Sequence, residues 1–262
     1  MTEKKLLCKA AFIGTAYCGY QCQKNGRTIQ EEINRAANTL FGYPCDITGC
    51  SRTDSGVHAN MFCLTITRKG KDFLETNIPV ERIPLALTAH LPSDISVYDA
   101  TWVKSDFHPR YGVISKEYEY LIWNHPVRSP FMENRAYHFP HVLDDDAICR
   151  MNRACADLVG RHDFFSFMAQ GSKVISTERF IISAKVAKDD NVLKFIVSAD
   201  GFLYNMVRIM AGTLLEIGRG VRGKGEIPGI LAGHDRRLAG VTLPAHGLYL
   251  NRVVYPENMV KW

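Results

Sequence analysis

Asp54 stands in the segment Ser51-Arg52-Thr53-Asp54-Ser55-Gly56-Val57-His58. A carboxylate in such a loop can act as a nucleophile or as a base. Gly56 permits a tight positive-φ turn that presents the side chain outward, although Asp-Ser-Gly is also common in plain turns. Arg208 lies one turn after Tyr204, on the flank of an apolar helical stripe. An arginine there either pairs with an acid or extends its head to water. Tyr118 and Tyr120 alternate in the run Lys116 to Trp123, so they share one face of a strand, where stacked core aromatics are the plain explanation. The chain has no glycine-rich phosphate loop, no dinucleotide fingerprint after its first strand and no Gly-x-Ser-x-Gly elbow. Nucleotide-driven, dehydrogenase and serine-hydrolase chemistries are therefore disfavoured. A carboxylate-dependent hydrolase would need a second acid beside Asp54, and the nearest in sequence, Asp46 and Asp72, make no recognisable pair.

The elements that must position these residues follow from the hydrophobic pattern. Leu6 to Ile13 is a short apolar run ending at Gly14, a buried strand. The loop Thr15 to Gln23 carries two tyrosines and two glutamines, able to offer hydrogen bonds and flat surfaces or to serve as a simple connection. Thr28 with Glu31 forms a capping pair, and Ile29, Ile33, Ala36, Ala37 and Leu40 follow at helical spacing until Gly42 and Pro44. Strands are expected near Asp46, over Met61 to Thr67 and over Ile95 to Val103, with a helix from Val80 to His90. Near residue 105 the pattern restarts. A strand over Lys116–Trp123 leads to a helix opened by Asp144 to Asp146, with acids at its positive end. Two strands follow, then a helix over Phe202 to Ile217 with its stripe of Leu203, Met206, Val207, Met210, Leu214 and Ile217. The tail Gly247 to Val254 reads as a last strand. The expected architecture is α+β: two halves, residues 1–105 carrying Asp54 and residues 106–262 carrying Tyr118 and Arg208, each a mixed or antiparallel sheet with flanking helices, around a central cleft.

Composition sets bounds. The chain has 262 residues, 46% hydrophobic, with 32 basic and 27 acidic side chains for a net charge of +5. This permits an anionic partner without demanding one. Arg208, Arg219, Arg222 and Lys224, with Glu216 as the one acid among them, are a candidate basic cluster, which a solvated helix end explains as well as phosphate binding does. No apolar run is long enough for a membrane span, and the N-terminus does not read as a signal peptide. The eight cysteines then read as reduced thiols; Cys18/Cys22 and Cys45/Cys50 do not form matched zinc knuckles, and His138-Phe-Pro-His141 is extended rather than helical.

Five segments, in order along the chain, together resemble one family, the TruA-type tRNA pseudouridine synthases. Arg52-Thr53-Asp54-x-Gly56-Val57-His58-Ala59 resembles its catalytic loop. Gly14-Thr15-x-Tyr17-x-Gly19-x-Gln21-x-Gln23 with Thr28-Ile29-Gln30 resembles its N-terminal signature. Phe107-His108-x-Arg110 and Lys116-x-Tyr118-x-Tyr120 resemble its central strand, Gly201 to Arg208 with Gly212-Thr213-Leu214 its late helix, and Pro244-Ala245-x-Gly247-Leu248-x-Leu250 its last strand. Ser51 and Ser55 stand where Gly and Ala are expected, Met61 and Phe62 replace Gly-Gln, and Gly112 and Val113 replace small residues. None of these departures removes a charged group.

The resemblance implies uridine-to-pseudouridine isomerisation in the anticodon stem-loop of tRNA, at positions 38 to 40. It implies Asp54 as the essential carboxylate, Arg208 as the cation that keeps it ionised, Tyr118 against the uracil ring, and Arg52 holding the uridine out of the RNA stack. It also implies a cytoplasmic homodimer without cofactor or metal, recognising RNA by shape. The alternative is an RNA-binding protein that has kept the fold and lost catalysis.

Overall fold

The computed structural model describes residues 4–24, 26–171, 174–223 and 225–262. It divides into two compact units: Met1–Ile114 with Leu250–Trp262, and Ser115–Tyr249. The division falls at Ile114/Ser115 rather than at residue 105, because the strand that restarts the pattern begins at Ser115. The last thirteen residues belong with the first unit, which sequence order alone could not indicate.

In the first unit, β1 (Lys4–Phe12) pairs antiparallel with β3 (His58–Arg68) on one side and β4 (Ile95–Lys104) on the other. β2 (Cys45–Gly49) pairs antiparallel with β3. β1 is buried on both faces at Leu6, Leu7 and Cys8, so it reads as a continuous apolar run rather than an alternating one. Helix α1 (Ile29–Phe41) starts as expected: the Thr28 hydroxyl accepts the Glu31 N–H, and Gly42 closes it in the left-handed conformation at φ 73°. Asn34 and Asn38 tie α1 to Cys45 of β2 by hydrogen bonds of 2.7 Å each. The apolar face Ile29, Ile33, Ala36 and Ala37 is buried, at about 1.5–3 kcal/mol for each large side chain removed from water. The helix expected over Val80–His90 is a 3₁₀ turn, Val80–Arg82, followed by α2 (Ile83–Thr88).

In the second unit, β5 (Ser115–Trp123), β9 (Val192–Ala199), β8 (Glu178–Asp189) and β7 (Gly160–Asp163) run antiparallel in that order. The two-residue β6 (Tyr137–His138) pairs parallel with β5. Helix α3 (Asp145–Leu158) is capped by the Asp144 carboxylate, which accepts the Ala147 N–H at 2.8 Å. Helix α4 (Met206–Gly218) carries the expected stripe from Met206 to Ile217, with Leu203 just ahead of it, and all of these residues are buried. It begins four residues later than its periodicity suggests, because Asn205 takes a left-handed conformation at φ 58° and breaks the turn. A short helix, α5 (Glu226–Gly233), was not expected. Its Pro228 and Gly229 look like breakers, but the proline sits in the first turn, where no N–H partner is needed. The last strand, β10 (Leu248–Val254), starts in this unit and ends in the first. Among the described residues no helix is long and apolar enough to cross a membrane.

Candidate active site

The loop from β2 to β3 carries Asp54. The Val57 N–H donates to the Asp54 carbonyl at 3.2 Å, and Gly56 has φ 79°, the turn its sequence suggested. The turn is braced from one side by the loop after β1. A Cβ on Gly14 would lie 2.0 Å from the Val57 carbonyl oxygen, and one on Gly19 2.6 Å from that of Thr53. Only glycine allows these backbones to approach so closely. The Tyr20 N–H donates to the Thr53 carbonyl at 3.2 Å and the Ser55 hydroxyl to the Tyr17 carbonyl at 3.1 Å. The Gly14 N–H donates to Nδ1 of the fully buried His58 at 2.9 Å, which fixes that nitrogen as unprotonated. Tyr17 and Tyr20 are buried struts rather than exposed stacking faces. Tyr17 donates to the Asp94 carboxylate at 2.6 Å, and burial and that acid push its pKa up. Tyr20 stacks on Phe62 with ring centroids 4.2 Å apart. The result is a half-buried carboxylate on a rigid turn. Arg52, two residues earlier, is exposed, while Thr53 between them is buried.

Tyr118 and Arg208 belong to the second unit. Tyr118 is buried on β5 and meets the Phe202 ring edge-on at 5.0 Å. Tyr120, its neighbour on the same face, is a core residue whose hydroxyl donates to the Pro244 carbonyl at 2.7 Å. Burial raises the Tyr120 pKa, and the Arg208 charge pulls it part of the way back. Arg208 does not simply extend to water. Its Nε donates to the Leu243 carbonyl at 2.7 Å and its Nη1 to the Asn205 side-chain oxygen at 2.6 Å. Asn205 occupies the N-cap of α4, yet its side chain makes no cap bond. Asn205 is therefore a positioning residue that pattern reading passed over. Its only sequence signal was a polar residue interrupting an apolar helix start.

Leu243 reaches Arg208 because α4 and the segment 240–243 are in backbone contact. A Cβ on Gly212 would lie 2.0 Å from the Val241 carbonyl oxygen, and one on Gly240 2.6 Å from the Thr213 nitrogen. The fully buried Thr213 hydroxyl accepts the Gly240 N–H at 2.8 Å and donates to the Ile209 carbonyl at 2.9 Å. Thr213→Val keeps the shape and leaves that N–H without an acceptor. We expect a loss of about 1–3 kcal/mol in thermal unfolding; an unchanged melting curve would contradict this strap.

The remaining candidates resolve locally. Arg222 pairs with Glu216 and Glu226, and Arg219 lies over the Phe139 ring. Lys224 of that basic cluster lies outside the described residues. The Asp46 carboxylate accepts the Gly70 N–H at 3.0 Å and Asp72 faces Lys5 at 3.8 Å. Both acids thus have local partners of their own. None of the eight cysteines is in a disulfide, and among the described residues no three His, Cys, Asp or Glu side chains group as a metal site.

Comparison with known proteins gives the family of the chain. A family model described as tRNA pseudouridine synthase matches residues 9–112 and 154–256, spans that include Asp54 and Arg208. The tRNA pseudouridine synthase A of Ruminiclostridium cellulolyticum is 42% identical over 96% of this chain and 100% of its own. The proteins of the same name from Acetivibrio thermocellus and Shouchella clausii are each 42% identical, over 92% and 97% of this chain and 96% and 95% of theirs. With the braced Asp54 turn in one unit and the anchored Arg208 in the other, the chain belongs to the tRNA pseudouridine synthase family.

Proposed function

We propose that this protein converts uridine to pseudouridine at positions 38 to 40 of the tRNA anticodon stem-loop, with Asp54 as the essential carboxylate, acting as a homodimer in the cytoplasm. The observation that carries the reading is the Asp54 turn, held by the Gly14 and Gly19 contacts in a chain of this family. The reaction breaks the N-glycosidic bond, turns the uracil, joins C5 to the sugar, and then gives up the C5 proton to solvent while the freed N1 takes a proton up. It has no net redox change and needs no energy input, so one ionised carboxylate is chemically sufficient. The target must leave the helix stack to be reached, at about a few kcal/mol. Basic side chains contacting phosphates offset that, which makes binding salt-dependent.

The resemblance assigns three further roles. Arg208 supplies the cation that keeps Asp54 ionised, Tyr118 packs against the uracil, and Arg52 keeps the extruded nucleotide from restacking. Two features support Arg208 in this role: it is fixed at Nε and Nη1, and a guanidinium so anchored keeps its direction. Lysine can keep the charge but cannot make both bonds. Arg208→Lys is therefore expected to lower turnover by about 10²-fold or more, the scale of a misplaced active-site group, with tRNA affinity largely retained. Turnover within a few-fold of wild type would remove Arg208 from the site. The whole reading is tested with tRNA tritiated at uracil C5: release of tritium supports it, and none over a range of salt concentrations sinks it.

A further inference from the structure

A pocket of about 250 Å³ opens in the first unit beside the Asp54 turn, and Asp54 does not line it. Its wall is made by Arg52, His108, Arg110, Tyr111, Gln21 and Tyr20, closed by β2 residues. Neither the Arg52 nor the Arg110 guanidinium has an acid or acceptor partner among the described residues. The Tyr111 ring is 79% exposed and leans on the His108 ring, centroids 4.4 Å apart. His108 Nδ1 accepts the Arg110 N–H at 3.1 Å, which leaves the other ring nitrogen as a donor. The Tyr20 hydroxyl, on a side chain 2% exposed, is buried without a hydrogen-bond partner. Such a group is disfavoured until an acceptor arrives.

This is the chemistry of a nucleotide site: two free cations for a phosphate, an exposed aromatic face for a base, and amide and hydroxyl groups for a base edge. Its volume falls below the about 300–1,000 Å³ of drug-sized sites and suits a single base. The occupant is not the target uridine, because that must meet Asp54. Cα atoms two residues apart lie within about 7 Å, so Arg52 stands close enough to Asp54 to meet both the target and the nucleotide next to it.

We propose that this pocket binds a second, unstacked nucleotide of the RNA, flanking the target, with its base on Tyr111 and its phosphate between Arg52 and Arg110. The proposal rests on the RNA-modifying reading above. It makes the Tyr111 pocket part of how a flexible anticodon arm is recognised: the enzyme grips a displaced neighbour rather than reading a sequence.

The test uses the full-length protein carrying Asp54→Asn, so that the complex accumulates without turnover. The probes are tRNA transcripts with 2-aminopurine placed singly at each nucleotide flanking the target. We expect one position to change fluorescence on binding. Tyr111→Ala abolishes that change and raises Kd about tenfold, the scale of one base–aromatic stack, whereas Tyr111→Phe retains both. Arg110→Ala lowers the slope of log K against log salt by about 0.7, one phosphate of a single strand, and Arg110→Lys keeps it. Tyr111 is exposed, so a melting curve will confirm that its truncation leaves the fold intact. Equal Kd and equal fluorescence in Tyr111→Ala and its parent overturn the pocket, even if the wild-type protein releases tritium. Tyr111-dependent binding with no tritium release from the wild type overturns the activity and leaves the pocket standing.

Discussion

Asp54→Asn is expected to lower tritium release from C5-labelled tRNA by about 10³- to 10⁴-fold, the largest effect of any single substitution here. Asparagine has the same shape and cannot become a carboxylate. The turn that presents residue 54 is closed by its backbone carbonyl, which asparagine keeps. The surrounding contacts are made by Gly14, Tyr17 and Gly19 to Val57, Ser55 and Thr53. The fold should therefore survive, with a melting temperature close to wild type. Binding should be unchanged or tighter, because the substitution removes a negative charge beside a polyanion. The measurement is a single turnover with enzyme in excess, which separates chemistry from product release. An RNA-binding protein without catalysis would show no tritium release in either form. A carboxylate hydrolase sharing the work between two acids would act on a different bond and release no C5 tritium. Activity within tenfold of wild type would remove Asp54 from the chemistry.

The sequence carried some of this and hid the rest for identifiable reasons. The Thr28 cap, the Gly42 stop and the α4 stripe are local signals, and each appears where local physics puts it. The turn at Asp54 was readable as a turn, because Gly56 permits its backbone. What holds the turn was not readable. Gly14 and Gly19 lie 35 or more residues away in sequence, and their importance is a matter of backbone contact across strands. The same holds for Gly212 with Gly240, which bring Leu243 to Arg208. The two tyrosines of the loop Thr15 to Gln23 read equally as stacking surfaces or as part of a plain connection, and both are buried. Tyr111, in a segment whose neighbours His108 and Arg110 were noticed, is the exposed ring instead. A single sequence shows where an aromatic residue is, but not which side of the wall it faces. The return of Leu250–Trp262 to the first unit is likewise a property of pairing, not of order.

Gly14→Ala is the second large expected effect, and it separates loop position from stability. The added methyl would lie 2.0 Å from the Val57 carbonyl oxygen and 2.7 Å from its carbon. Neither side can yield cheaply. Val57 is buried, His58 opens β3 and is fully buried, and the Gly14 N–H is bonded to it. Relief must come from moving the turn that carries Asp54. Overpacking of this kind destabilises by about 1–3 kcal/mol, and a displacement of about 1 Å at a reacting group lowers rate about 10²-fold. Gly42→Ala supplies the comparison. Gly42 has φ 73° and nothing within 4 Å of its added methyl, so strain there reduces stability without touching the turn. Both variants should melt earlier than wild type. Only Gly14→Ala should lose tritium release at a temperature where both remain folded by circular dichroism. If the two lose activity in parallel with their melting, the Gly14 contact stabilises the fold and does not aim the carboxylate.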